Sequence, residues 1–184
     1  MASFSERPHI DMYQLTDDNM EQVKNSRAAT AAFTGHRHMD ASQRDNIKKR
    51  LRAAILEAYG KGFRNFISGF AIGFDLMAAE IVVSLKDQHP DITLIAAIPF
   101  RKQPCRFSDY LRRRYQILLG MADKVVVLSE DYYPRCFLER DVFMVKNSSL
   151  LIANYDGRRK GGTFYTIERA KEQNIPVVNV FDNS

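Results

Sequence analysis

From residue 30 onward, short apolar runs alternate with longer stretches of helical period. Ala31-Ala32-Phe33 is apolar on both sides of an extended chain and predicts a buried strand ending in Thr34-Gly35-His36-Arg37. Asp40 is placed to cap the next helix. Its Ile47, Leu51, Ile55 and Ala58 share one face, Arg44, Lys48, Lys49 and Arg52 stay in water, and Gly60 and Gly62 stop it. Phe66-Ile67-Ser68 predicts a second strand, followed through Gly69-Phe70-Ala71-Ile72-Gly73 by a helix (Leu76 to Val83) that is apolar almost all round and therefore buried. Ile92 to Ile98, ended by Pro99, has the composition of a central parallel strand. Further along, the pattern predicts helices over 108–120, 135–146 and 163–173, and strands at Val125 to Leu128, Leu150 to Ala153 and Val177 to Phe181.

Strands alternating with helices imply right-handed crossovers and a parallel sheet covered on both faces. The expected fold is therefore α/β: a doubly wound, Rossmann-like sheet of about six mainly parallel strands. Residues 1–28 are polar and weakly patterned, with a short helix predicted over Thr16–Asn25, and read as an N-terminal extension to a domain spanning 29–184.

Composition adds three expectations. With 45% hydrophobic and 27% charged residues, the 184-residue chain is globular and long enough for a substantial core. The 27 Lys and Arg against 22 Asp and Glu leave a formal charge of +5, which suits a phosphate-bearing ligand without requiring nucleic acid. Cys105 and Cys136 lack metal-ligand spacing and read as reduced thiols. No metal site, signal peptide or membrane span is expected, which points to a cytoplasmic protein.

In open parallel sheets, ligands bind beyond the carboxyl ends of the strands. Here those ends carry Thr34-Gly35-His36-Arg37, Ser68-Gly69-Phe70, Pro99-Phe100-Arg101-Lys102, Ser129-Glu130 and Asn154-Tyr155-Asp156-Gly157. Two of these loops lead through paired glycines into helices. The first, Ser68 to Asp75, brings backbone N–H groups to a helix N-terminus, where unpaired donors and the helix dipole suit an anion. The second, Lys160-Gly161-Gly162-Thr163, places two glycines before a hydroxyl that caps the helix or donates to a ligand. The alternative in each case is a tight turn with a plain cap. The candidate ligand-binding set is Thr34, Gly35, His36, Arg37, Ser68, Gly69, Phe70, Ala71, Gly73, Asp75, Pro99, Phe100, Gly161, Gly162, Thr163 and Thr166. Acid/base candidates are Glu168, Asp75, Glu130 and His36. Arg101, Lys102 and Arg112 to Arg114 are a candidate nucleic-acid strip, although a charge run on a helix is usually a solvated face.

Ile67-Ser68-Gly69-Phe70-Ala71-Ile72-Gly73-Phe74-Asp75 resembles the serine-glycine loop of the bacterial DNA-processing DprA family, and Gly161-Gly162-Thr163-Phe164-Tyr165-Thr166 is similar to that family's second glycine-hydroxyl motif. With Thr34-Gly35-His36-Arg37 and Arg140-Asp141-Val142-Phe143-Met144-Val145, the chain resembles the YpsA/YoqJ-like branch of the SLOG superfamily over roughly residues 30 to 182. The resemblance implies a Rossmann-like fold, a nucleotide or nucleotide-derived ligand in place of any certain cofactor, and a homodimer. The related LOG-type phosphoribohydrolases use Pro-Gly-Gly-x-Gly-Thr-x-x-Glu. Here Lys160 replaces the proline and Thr166 stands where the catalytic glutamate belongs. Glu168 lies about 200° further around the helix. Three readings follow: a nucleotide-binding module first, a nucleotide N-glycosidase second, and a single-stranded nucleic-acid binder of DprA type third.

Overall fold

Among the described residues, six apolar runs form six strands, and their alternation with five helices sets every strand parallel to its neighbours. The computed structural model describes residues 26–181, so the helix expected over Thr16–Asn25 lies outside the described residues. In chain order the elements are β1 (Thr30–Gly35), α1 (Arg44–Gly60), β2 (Asn65–Ser68), α2 (Phe74–Leu85), β3 (Thr93–Ile98), α3 (Asp109–Gly120), β4 (Lys124–Val127), α4 (Cys136–Lys146), β5 (Leu150–Asn154), α5 (Gly161–Glu172) and β6 (Val177–Asn179). Short 3₁₀ turns lie at Arg27–Ala29 and Gln103–Arg106.

The strand order is β4-β3-β2-β1-β5-β6. Each step from β1 to β4 moves the same way across the sheet, so right-handed crossovers place α1, α2 and α3 on one face. The connection from β4 leaps back past β1 to β5 and reverses direction, which sends α4 and α5 to the other face. The side chains record the division. Ala31, Phe33, Phe66, Leu94 and Ile152 pack with Ile47, Leu51, Ile55, the apolar side of α2, Tyr115 and Leu118. The alternate positions Ala32, Ile67, Ile95, Val126 and Leu151 pack with Met144, Val145, Ile167 and Ala170.

The reversal falls between β1 and β5, which pair in register from Ala31 opposite Leu150 to Gly35 opposite Asn154. Loops leaving two adjacent strands toward opposite faces open a crevice at their carboxyl ends, where ligands bind in this architecture.

Two local expectations are corrected. Asp40 does not cap α1: its carboxylate accepts from the Ser42 N–H at 2.9 Å and the Ser42 hydroxyl at 2.8 Å, closing a turn, and the helix starts at Arg44 with Gln43 ahead of it. Thr163 does not cap α5 either, because the helix already begins at Gly161 behind an extended Lys160. Glycine with φ +86° lets the chain enter the helix two residues early. Ser108, by contrast, does cap α3, its hydroxyl accepting from the Leu111 N–H at 3.4 Å.

Candidate functional site

The first glycine hinge is packed against the protein itself. The Ser68 hydroxyl is fully buried; it donates to the Asp75 carbonyl at 2.9 Å and accepts from the Phe70 N–H at 3.2 Å. That bond holds Phe70 at φ +53°, a left-handed conformation costly for so bulky a residue, while its ring is buried edge-on to Tyr115 at 5.7 Å. A Cβ on Gly69 would lie 2.1 Å from Arg140 Nη1 and 2.7 Å from Asp75 Oδ2. One on Gly73, at φ +87°, would lie 2.3 Å from the Arg37 carbonyl oxygen. The Phe74 N–H donates to the His36 carbonyl at 3.2 Å, fastening α2 to the end of β1.

Beneath this hinge lies an ionic cluster. Arg140 is 4% exposed; its Nη1 donates to the Gly69 carbonyl and its Nε to Asp141 Oδ1 at 2.8 Å. Burial pushes the Asp75 carboxyl up to about 6, against the pull of Arg140, with Asp141 adding like-charge repulsion. Burial likewise raises Asp141, opposed by Arg140. The Arg140 guanidinium is desolvated too, yet Asp141 and Asp75 hold it protonated.

The second hinge faces open space. Nothing lies within 4 Å of a Cβ placed on Gly161, and one on Gly162 would meet only Asp141 Oδ2 at 3.7 Å. The buried Thr166 hydroxyl donates to the Gly162 carbonyl at 2.8 Å, which steadies the first turn. Before the hinge, Asn154 ends β5 almost fully buried, with no hydrogen-bond partner for its Oδ1 among the described residues. His36 Nε2 lies 3.1 Å from Asp156 Oδ1, whose other oxygen accepts from Arg158 Nε at 2.6 Å. Partial burial works against the Asp156 charge, but the Arg158 N–H, His36 and the Arg158 guanidinium together hold this carboxyl below its ordinary value.

Three cavities share this rim. The largest, about 620 Å³, carries both signs of charge, with His36, Arg37, His38, Asp40, Asn154, Asp156, Arg158, Lys160 and Gly161 in its walls. The middle one, about 340 Å³, has Thr34, Gly35, Arg37, Ala71, Asp75, Arg140, Asp141, Gly162 and Thr163. The third, about 300 Å³, is aromatic, with Ile72, Phe100, Gln103, Phe107, Tyr132 and Phe137 around Arg37. Arg37 borders all three and lies over the Phe137 ring at 5.1 Å. Both hinges therefore meet at the middle cavity, the first through Ala71 and Asp75, the second through Gly162 and Thr163.

Other candidates lie elsewhere. Ser68, Gly69, Phe70, Gly73, Pro99 and Thr166 line none of these cavities. Glu130 pairs at the surface with Arg101, at 2.6 Å, and Glu168 with Lys171, at 3.0 Å, and neither lines a cavity. In the basic run, Arg112 donates to the Phe107 carbonyl at 3.1 Å and Arg114 to Glu80 at 2.6 Å, so two of its three guanidinium groups are engaged within the protein. Cys105 is exposed, Cys136 buried, and both are unbridged. No helix among the described residues is long and apolar enough to cross a membrane. Arg140, Asp141 and Gln103 line these cavities but are absent from the ligand-binding set read from the sequence, as are Asn154 and Asp156, which the sequence places only at the end of β5. Arg140 and Asp141 had a signal only in the block that carries the family resemblance, and Gln103 had none.

The model of the YspA SLOG family matches residues 31–178. A UPF0398 protein of Bacillus cereus strain B4264 is 30% identical over 129 residues, covering 69% of this chain and 70% of that protein. Among solved structures, DNA processing protein A from Streptococcus pneumoniae superposes with TM-score 0.58 at 20% identity, over 87% of this chain and 50% of its own. DNA processing protein A from Helicobacter pylori, solved for its single-stranded DNA binding mode, superposes with TM-score 0.56 at 17% identity, over 85% of this chain and 66% of its own.

Proposed function

The chain belongs to the YspA SLOG family, and from that premise we propose that it binds a nucleotide or nucleotide-derived small molecule in the cleft above β1 and β5. The observation that carries the proposal is the asymmetry of the two hinges around one cavity. The first is occupied by protein atoms and acts as scaffold, whereas the second presents the N-terminus of a twelve-residue helix to open space beside Lys160, Arg158 and Arg37. Backbone donors at a helix N-terminus, with Lys160 and Arg37 beside them, suit a phosphate. Asp141, the nearest carboxylate to Gly162, is neutralised by Arg140 and so does not repel the anion.

Charge-assisted hydrogen bonds are worth roughly 1.5–3 kcal/mol each, so two or three of them with a stacked base bring binding into the micromolar range, about −8 kcal/mol. Isothermal calorimetry with nucleoside mono- and diphosphates and nucleotide sugars tests this. We expect binding by the wild type and its loss in Gly162→Asp, which sets a second carboxylate against the phosphate. Absence of binding across the panel, or indifference to Gly162→Asp, refutes the proposal.

A hydrolytic reading rests on Asp75, which lines the middle cavity and whose carboxyl burial pushes up to about 6, whereas Glu130 and Glu168 line none of the three cavities. Release of base from nucleoside monophosphates, abolished in Asp75→Asn, would establish it. The internal engagement of Arg112 and Arg114 favours a small nucleotide over a nucleic-acid strand.

A further inference from the structure

The aromatic cavity contains a buried polar group with unspent capacity. Gln103 follows β3 in the short 3₁₀ turn, is 5% exposed, and lines this cavity. Its Nε2 donates to the Gly69 carbonyl at 3.3 Å, while its Oε1 is sealed from water with no hydrogen-bond partner among the described residues. The assignment of oxygen and nitrogen follows from the network, since a flipped amide would set oxygen against the Gly69 carbonyl oxygen. A buried acceptor without a donor is costly and calls for an explanation.

We infer that this cavity is a nucleobase subsite in which the Gln103 amide turns out toward the guest and accepts a hydrogen bond on Oε1 from an exocyclic amino group, so that the protein selects amino-bearing bases such as adenine and cytosine. The inference rests on the nucleotide-binding reading above and names the base that reading leaves open.

The remaining walls fit a flat heteroaromatic ring. Phe100 meets Tyr132 edge-on at 5.5 Å and Phe137 edge-on at 5.8 Å, and Arg37 covers the Phe137 face. About 300 Å³ lies at the small end of ligand cavities, which suits a base rather than a whole nucleotide. The cavity shares Arg37, Ala71 and Phe137 with the middle cavity that holds Gly162, so one nucleotide would span both. Gln103 can turn toward a guest at little cost. The terminal amide torsion is soft, its bond to Gly69 is long, and the Gly69 carbonyl keeps its bond from Arg140 if Gln103 lets go.

Calorimetry with matched pairs, adenosine against inosine monophosphate and cytidine against uridine monophosphate, tests the subsite. In the wild type the amino-bearing member binds about tenfold more tightly, as one hydrogen bond to a buried acceptor warrants. Gln103→Met, close in volume, removes the acceptor and collapses both ratios toward one. Tyr132→Ala changes a residue 60% exposed, so folding is not at issue. It weakens every nucleotide by about tenfold through lost stacking and leaves inorganic pyrophosphate affinity unchanged. Equal wild-type affinities within each pair, or a preference that survives Gln103→Met, overturns the subsite and leaves the proposed function standing. Tyr132→Ala without effect also overturns it, and failure of every nucleotide to bind overturns both.

Discussion

Gly69→Ala asks whether the first hinge is scaffold. The added Cβ would sit 2.1 Å from Arg140 Nη1 and 2.7 Å from Asp75 Oδ2, well inside contact distance. Arg140 cannot retreat to solvent, because it is 4% exposed and held through Nε by Asp141. Accommodating the methyl therefore means giving up the bond to the Gly69 carbonyl and distorting a buried charge cluster. Breaking a buried pair costs roughly 3–5 kcal/mol, a fifth or more of the roughly 5–15 kcal/mol that holds a domain together. Urea unfolding followed by circular dichroism reads that loss directly. Gly162→Ala is the internal control. Its Cβ meets only Asp141 Oδ2 at 3.7 Å, and alanine is favoured over glycine within a helix by up to about 1 kcal/mol, so stability should hold or rise slightly. A Gly69→Ala protein within about 1 kcal/mol of wild type would mean that the guanidinium is not wedged there, and the scaffold assignment would fall.

Three further outcomes are expected. Because Asp75 titrates at about 6 when folded against an ordinary 3.8, the folded protein takes up a proton between pH 7 and 4 that the unfolded chain does not. Wild type should accordingly gain roughly 2 kcal/mol over Asp75→Asn across that window as pH falls, and a flat difference in parallel melts would disprove the assignment. The comparison with Asp75→Asn is needed because Glu130 and Asp156, held low by their partners, change stability in the opposite direction on acidification. Ser68→Ala leaves the Phe70 N–H without its acceptor and should cost about 1–3 kcal/mol in denaturant midpoint experiments; no change would show that the left-handed turn does not depend on the hydroxyl. Glu168→Ala and Glu130→Ala remove surface pairs and should shift stability by less than about 1 kcal/mol while leaving nucleotide binding intact, so a loss of binding by either would return that carboxylate to the site.

The order and kind of elements were legible because they depend on short-range periodicity. The spacing of Ile47, Leu51, Ile55 and Ala58 predicts the buried face of α1, and the apolar sweep from Leu76 to Val83 predicts a buried α2. The two hinges were legible for the same reason, since paired glycines after a strand mark a turn into a helix. Which hinge is packed and which is open was not legible, because that depends on Arg140, 71 positions from Gly69, reaching the carbonyl beneath it. The pairing of His36 with Asp156 across β1 and β5 and the unspent oxygen of Gln103 were equally out of reach, as each follows from strand order. Local pattern is written by neighbours within one or two turns. The site is written by the reversal that sets β5 beside β1, a long-range choice made by packing two faces of the sheet at once.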